Sequence, residues 1–183
     1  MKGRGQVRAV LLTALITILL FSCAAVVLVA CDEAKKYHAE FYDDVEEFMN
    51  DEFLKENRVG QAFYPADDFS GGQEYIKDET SPSARTFIVT NKEEYVQIFD
   101  EFPEKIDFTN QLIIVYMFVT TTPRNFEMTD LSLKEGVLRV SYKVKMSIGD
   151  RLHSIKDDVM AYRRCFALVM DKTYITTAEF EER

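Results

Sequence analysis

Few side chains in this 183-residue chain could carry chemistry. Its two histidines, His38 and His153, cannot build a histidine-rich zinc site, and a Ser-His-Asp triad would have to rest on one of them. No G-x-S-x-G, H-E-x-x-H or glycine-rich phosphate loop occurs. Cys165 lies in Cys165–Met170 (CFALVM), an apolar run in which a thiol behaves as a small hydrophobe. The acid pairs Asp43-Asp44, Glu46-Glu47, Asp67-Asp68 and Asp157-Asp158 could offer oxygens to calcium, but none sits in a D-x-D-x-D-G loop and solvated surface acids are the plainer reading. The expectation is therefore no catalytic residue, no metal and no cofactor. If the protein is instead a surface hydrolase, His153 with Asp157 or Asp158 is the first place to look. Two loops rich in aromatics, 61–72 (QAFYPADDFSGG) and 120–126 (TTTPRNF), are candidate binding anchors or caps on the core.

The remaining reactive position is Cys31. It ends an uncharged run from Ala9 that follows Lys2, Arg4 and Arg8 and precedes Asp32, Glu33, Lys35 and Lys36, the layout of a secretory signal. The run is 23 residues long, which by length alone also suits a membrane span. Its last four residues, Leu28-Val29-Ala30-Cys31, resemble the lipobox of bacterial lipoproteins. That resemblance implies cleavage before Cys31 and a diacylglycerol on its thiol. Cys23 is the poorer site, because Phe21 is bulky and cleavage there would leave an apolar tail. Lipidation at Cys31 and a single-pass anchor both place the rest of the chain outside the cytoplasmic membrane.

The formal charge is −9, and without residues 1–31 the balance becomes 19 basic against 31 acidic residues, or −12. So acidic a body repels phosphate backbones, so no nucleic-acid partner is expected. With Cys23 and Cys31 in the targeting segment, only Cys165 remains downstream, too few for a disulfide framework.

These residues need elements to hold them. From Ala34 to Leu54 the apolar positions Tyr37, Phe41, Val45, Phe48, Met49 and Phe53 fall mainly three or four apart, which predicts an amphipathic helix with an acidic outer face. Residues 57–84 hold three glycines and two prolines and predict a loop. Arg85–Thr90 predicts a strand, and Thr90 with Glu93 a capping box that starts a helix closed by Pro103. Leu112–Val119 and Cys165–Met170 predict strands covered on both faces. The alternation of Leu138, Val140, Tyr142, Val144, Met146 and Ile148 with Arg139, Ser141, Lys143, Lys145 and Ser147 predicts a strand with one wet face. Glu135-Gly136 turns a hairpin between Phe126–Lys134 and Val137–Ile148, and Thr173–Phe180 forms a last strand.

The fold class is α+β: an antiparallel sheet of five or six strands with one packed helix, behind an N-terminal helix. The expected organisation is a signal segment over 1–31, a helix and loop over 32–84, and the α+β domain over 85–183.

Residues 87–171 show a recognisable order: FIVTNKEEYVQIF (87–99), then IDFTNQLIIVYMFV (106–119), a hairpin, and ALVMDK (167–172). This resembles the C-terminal domain of the PrcB family, extracytoplasmic bacterial lipoproteins, and Asp107-Phe108 is its most specific element. Where that family carries a Gly-Gly pair, this chain has Thr121-Thr122-Pro123-Arg124-Asn125-Phe126. The resemblance implies a non-catalytic domain. Together these readings point to a lipid-anchored protein on the outer face of the membrane that binds or assists a surface protein.

Overall fold

The computed structural model describes residues 37–65, 75–145 and 160–183. Among them run nine strands, two short α-helices and a 3-10 turn. Ala39–Tyr42 (β1) pairs with Tyr162–Asp171 (β8), β8 with Gln111–Thr120 (β5), and β5 with Ala84–Val89 (β4), all antiparallel. A second sheet holds Phe126–Lys134 (β6), Val137–Val144 (β7) and Thr177–Glu182 (β9). Phe63–Pro65 (β2) and Tyr75–Lys77 (β3) make a small ribbon beside the start of β8, where the Phe63 N–H donates to the Ala161 carbonyl at 2.9 Å.

The α+β class and antiparallel core stand, but the strands divide between two main sheets, and β9 joins β7 in parallel. Strand alternation explains the division. On β5 and β8, Ile113, Val115, Met117, Cys165, Ala167 and Val169 face a layer of helices, while Leu112, Ile114, Leu168 and Met170 face the second sheet. Each strand must then be apolar at every position between the layers, as 112–119 and 165–170 are. Nearer the start of β8, Phe118, Phe126, Tyr142 and Phe166 form an aromatic cluster, with Phe118 and Phe166 4.7 Å apart edge to face.

The expected helix over Ala34–Leu54 does not form. Its described part is β1, a 3-10 turn at Glu46–Phe48, and a six-residue helix, Asp51–Glu56 (α1), capped by Asn50. The 32–84 stretch therefore supplies an edge strand to the central sheet of the same compact unit, Tyr37–Arg183. The helix after β4 is Lys92–Ile98 (α2), with its cap one residue beyond the expected box: Asn91 Oδ1 accepts from the Glu94 N–H at 2.9 Å, and Glu94 reaches back to the Thr90 N–H at 2.7 Å. The hydrogen bond from the Thr90 N–H first, and those from the Asn91 and Thr90 side chains, hold the Glu94 carboxyl below its usual range.

The 134–137 hairpin forms as expected, with Glu135 and Gly136 both at positive φ (53° and 81°). On β7, Ser141 is buried rather than wet, because it lies in a middle strand between Asp130 and Glu181. The last strand starts at Thr177 rather than Thr173 because residues 172–176 cross from one sheet to the other, fixed where the Thr176 N–H donates to the Gly136 carbonyl at 2.8 Å.

Asp107, just before β5, and Lys172, just after β8, organise this same end. Asp107 Oδ1 accepts from the Thr109 N–H at 3.0 Å and Oδ2 from the Asn110 amide at 2.9 Å, shaping the turn that feeds β5. The Lys172 ammonium donates to the carbonyls of Phe108 (2.7 Å) and Thr90 (3.2 Å). Met146 and Ile148 lie outside the described residues.

Two substitutions test this packing. Phe166→Ala empties the middle of the aromatic cluster and is expected to cost about 3–5 kcal/mol, read by urea unfolding. Gly60→Ala puts a methyl carbon 2.1 Å from the Ser81 carbonyl oxygen, so the backbones must separate; its midpoint should fall well below that of an alanine placed at exposed Val96.

Candidate functional site: a charged cleft at the start of the central strand

At its first residues β8 leaves the core and its chemistry changes. Alternation sends Arg163 to the side of Cys165 and Arg164 to the side of Phe166. Each guanidinium is nearly covered, so each must be matched by an acid. The segment after β1 supplies them. Arg163 Nη2 donates to Glu46 at 2.6 Å and Nη1 to the Leu54 carbonyl at 2.8 Å, which also closes the end of α1. Arg164 sits 3.0 Å from Asp44 and 3.7 Å from Asp43, and its Nε donates to the Asp43 carbonyl at 2.8 Å. Asp43 also accepts from the Phe126 N–H at 3.1 Å, joining the two sheets.

Around Arg163 lies a cleft of about 690 Å³. One wall is Tyr64, whose ring lies 4.9 Å from the Arg58 guanidinium and 5.5 Å from that of Arg163. The Tyr64 hydroxyl accepts from the Val59 N–H at 2.8 Å and donates to the Val59 carbonyl at 3.1 Å, so the ring is fixed from behind. Asp44, Glu47 and Asp51 also line the cleft, together with the cations Lys55 and Arg58.

Environment shifts these groups in consistent directions. Burial raises the Asp44 carboxyl, against the pull of Arg164. Burial also raises the Tyr64 phenol. At Arg163 burial opposes the charge, but the hydrogen bond and charge of Glu46 outweigh it and hold the pKa up.

Cys165 is enclosed, as its apolar run implies. Burial first, and then the Glu46 carboxylate with Oε2 3.9 Å from Sγ, push the thiol well above its usual range. Arg163 pulls the other way and loses. This is the reverse of the setting that makes a reactive thiolate.

The other sequence candidates scatter. His38 is exposed at the opposite end of the sheet, its backbone exchanging hydrogen bonds with Asp171. Phe126 of the 120–126 loop is a core residue, 3% exposed, and the Tyr162 hydroxyl donates to the Thr122 carbonyl. Of the 61–72 loop, Phe63 and Tyr64 belong to β2. His153, Asp157, Asp158, Asp67, Asp68 and Cys31 lie outside the described residues. Among the described residues no group of three or more His, Cys, Asp or Glu is placed to hold a metal ion.

The sequence reading missed the Arg163–Glu46–Tyr64 arrangement. Its trace was there, in an Arg-Arg pair abutting an apolar strand and an acid-rich segment that had to neutralise it. No family model, no curated protein and no solved structure matches this chain.

The side chain of Arg163 is 10% exposed, whereas Arg139, paired to Glu179, is 66% exposed. Glu46→Ala leaves the Arg163 charge unmatched and is expected to cost about 2–4 kcal/mol. Glu179→Ala should cost under about 1 kcal/mol, as exposed pairs do. Urea unfolding of both variants checks the ranking.

Proposed function

We propose that this chain is a non-catalytic lipoprotein of the outer membrane face, anchored through Cys31, that binds or assists another protein at the cell surface. The observation that carries the reading is Leu28-Val29-Ala30-Cys31 at the junction between the uncharged run and the charged sequence, six residues before the fold begins at Tyr37. Two or more acyl chains on that cysteine would hold the domain stably, where one would be marginal. The likeness of residues 87–171 to the PrcB-family domain supports an accessory role.

The cleft supports binding in preference to bond-breaking. Its most buried charge, Arg163, is already held by Glu46 and a backbone carbonyl, and the nearby thiol of Cys165 is enclosed and neutral. What the cleft presents outward is a mixed set of charges, Asp44, Glu47, Asp51, Lys55 and Arg58, over a largely buried Tyr64, a surface suited to polar recognition.

A second reading has one observation in its favour. The 23-residue run is long enough to span a bilayer, in which case residues 1–30 remain as a single-pass anchor.

Mass spectrometry of the membrane-extracted protein separates the two. The expected product starts at Cys31 and carries a diacylglycerol on the thiol. An intact Met1–Ala30 segment or an unmodified Cys31 overturns the lipoprotein reading. Crosslinking in intact cells, comparing the natural chain with Glu47→Lys plus Asp51→Lys, then tests the cleft: loss of the crosslinked species is expected, and an unchanged pattern removes the cleft from the interface.

A further inference from the structure

The two ends of the central sheet differ in charge and in what they expose. At one end β8 finishes, β5 begins and β1 begins: Ala39 pairs with Met170 and Leu112 with Met170. The turns gathered here are 90–92, 107–110, 134–136 and 171–176, which together hold three lysines and three acids. At the other end, residues 43–57 hold seven acids, against which stand Lys55, Arg58, Arg163 and Arg164, an excess of three acids. The length of β8 separates the two, about 30 Å for ten extended residues.

Tyr174 stands at the neutral end. At 77% exposure it is the most exposed large apolar side chain among the described residues. Its ring borders the Gly136 turn, with Cε1 3.3 Å from where a Cβ there would be. Its neighbours in sequence, Lys172 and Ile175, anchor the connection, the first to two backbone carbonyls and the second against the core between the sheets. A tyrosine with an exposed ring and a free hydroxyl suits the boundary between headgroups and acyl chains.

The chain enters the fold at this same end. Tyr37 packs between the sheets beside Ala39, and Cys31 is six residues upstream, at most about 20 Å of backbone by any path.

We propose that this end, formed by the Glu135–Gly136 turn and the 172–176 connection, is a lipid-surface docking face on which Tyr174 seats among the headgroups. The inference rests on the anchor reading above and adds an orientation to it. Lys134 and Lys92 lie beside the phosphates there, and the far end, with its excess of three acids, faces away from an anionic surface.

The test uses the full chain, anchor in place, reconstituted in vesicles of phosphatidylethanolamine and phosphatidylglycerol. A fluorophore is attached in turn to Ser132→Cys, on β6 three residues before Glu135, and to Glu47→Cys, on the cleft rim; Cys165 is buried, and peptide masses select samples labelled at the introduced cysteine and not at Cys23 or Cys31. Lipids with a headgroup spin label are expected to quench the fluorophore at 132 several-fold more strongly than that at 47. Adding Tyr174→Ser to the Ser132→Cys protein should bring its quenching down towards the level at 47. Equal quenching at the two positions, or stronger quenching at 47, overturns the docking face. Unequal quenching that Tyr174→Ser leaves unchanged overturns the role of Tyr174. Peptide masses from the same sample read Cys31 separately: a bare Cys31 with the quenching difference intact overturns the lipid anchor and leaves the docking face standing.

Discussion

The pairing of β5 with β8 organises everything else. Ten residues of each strand run side by side, from Gln111 opposite Asp171 to Thr120 opposite Tyr162. Because layers cover both faces, neither strand can carry a charge in its middle, and neither does. The constraint ends where the layers end, and there the chain places Arg163 and Arg164. Two nearly covered guanidiniums in sequence point to opposite faces, so each demands its own acid. A single segment, Asp43–Glu46, meets both demands: Asp43 and Asp44 on one side, Glu46 on the other. The cleft is thus the edge of the apolar core, where burial stops and compensation has to begin.

That edge also explains the inertness of Cys165. A thiol is activated when cations stabilise its anion. Here the nearest cation is already matched by Glu46, whose carboxylate also faces the sulfur, and burial adds to the same effect. The arrangement that makes Arg163 tolerable inside the fold is the one that keeps its neighbour neutral.

Much of the fold was legible from local pattern. The runs at 112–119 and 165–170 read as strands buried on both sides because continuous apolarity has few other meanings at that length, and Glu135-Gly136 read as a turn because of the φ values it needs. The N-terminal segment was misread for a physical reason. Tyr37 and Phe41 are four apart, a spacing shared by one helix face and by one face of a strand, and with Ala39 they line the space between the sheets as a strand does. Val45, Met49 and Phe53 point into the other core from a 3-10 turn, a linker and a short helix. The stripe was real, but the element that carries it is chosen by the free edge of β8, which only the folded sheet reveals. The cleft was illegible for the same reason: Glu46, Tyr64 and Arg163 are far apart in sequence, and their meeting depends on which strand accepts β1. Asp107 stood out beside Phe108 in the sequence, and its hydrogen bonds are local, shaping the turn into β5.

The placement of β1 sets the order in which the domain can assemble. Ala39–Tyr42 closes its sheet only against residues 167–170, and β9 follows later still. The first strand to be synthesised waits for nearly the last, and contacts of such long range are slow to form because a large loop must close first. As the chain is synthesised, β5 can pair with β4 early, but its other edge and the whole of β1 wait for β8. Until then the edge of 112–119 that β8 will cover is open to other chains.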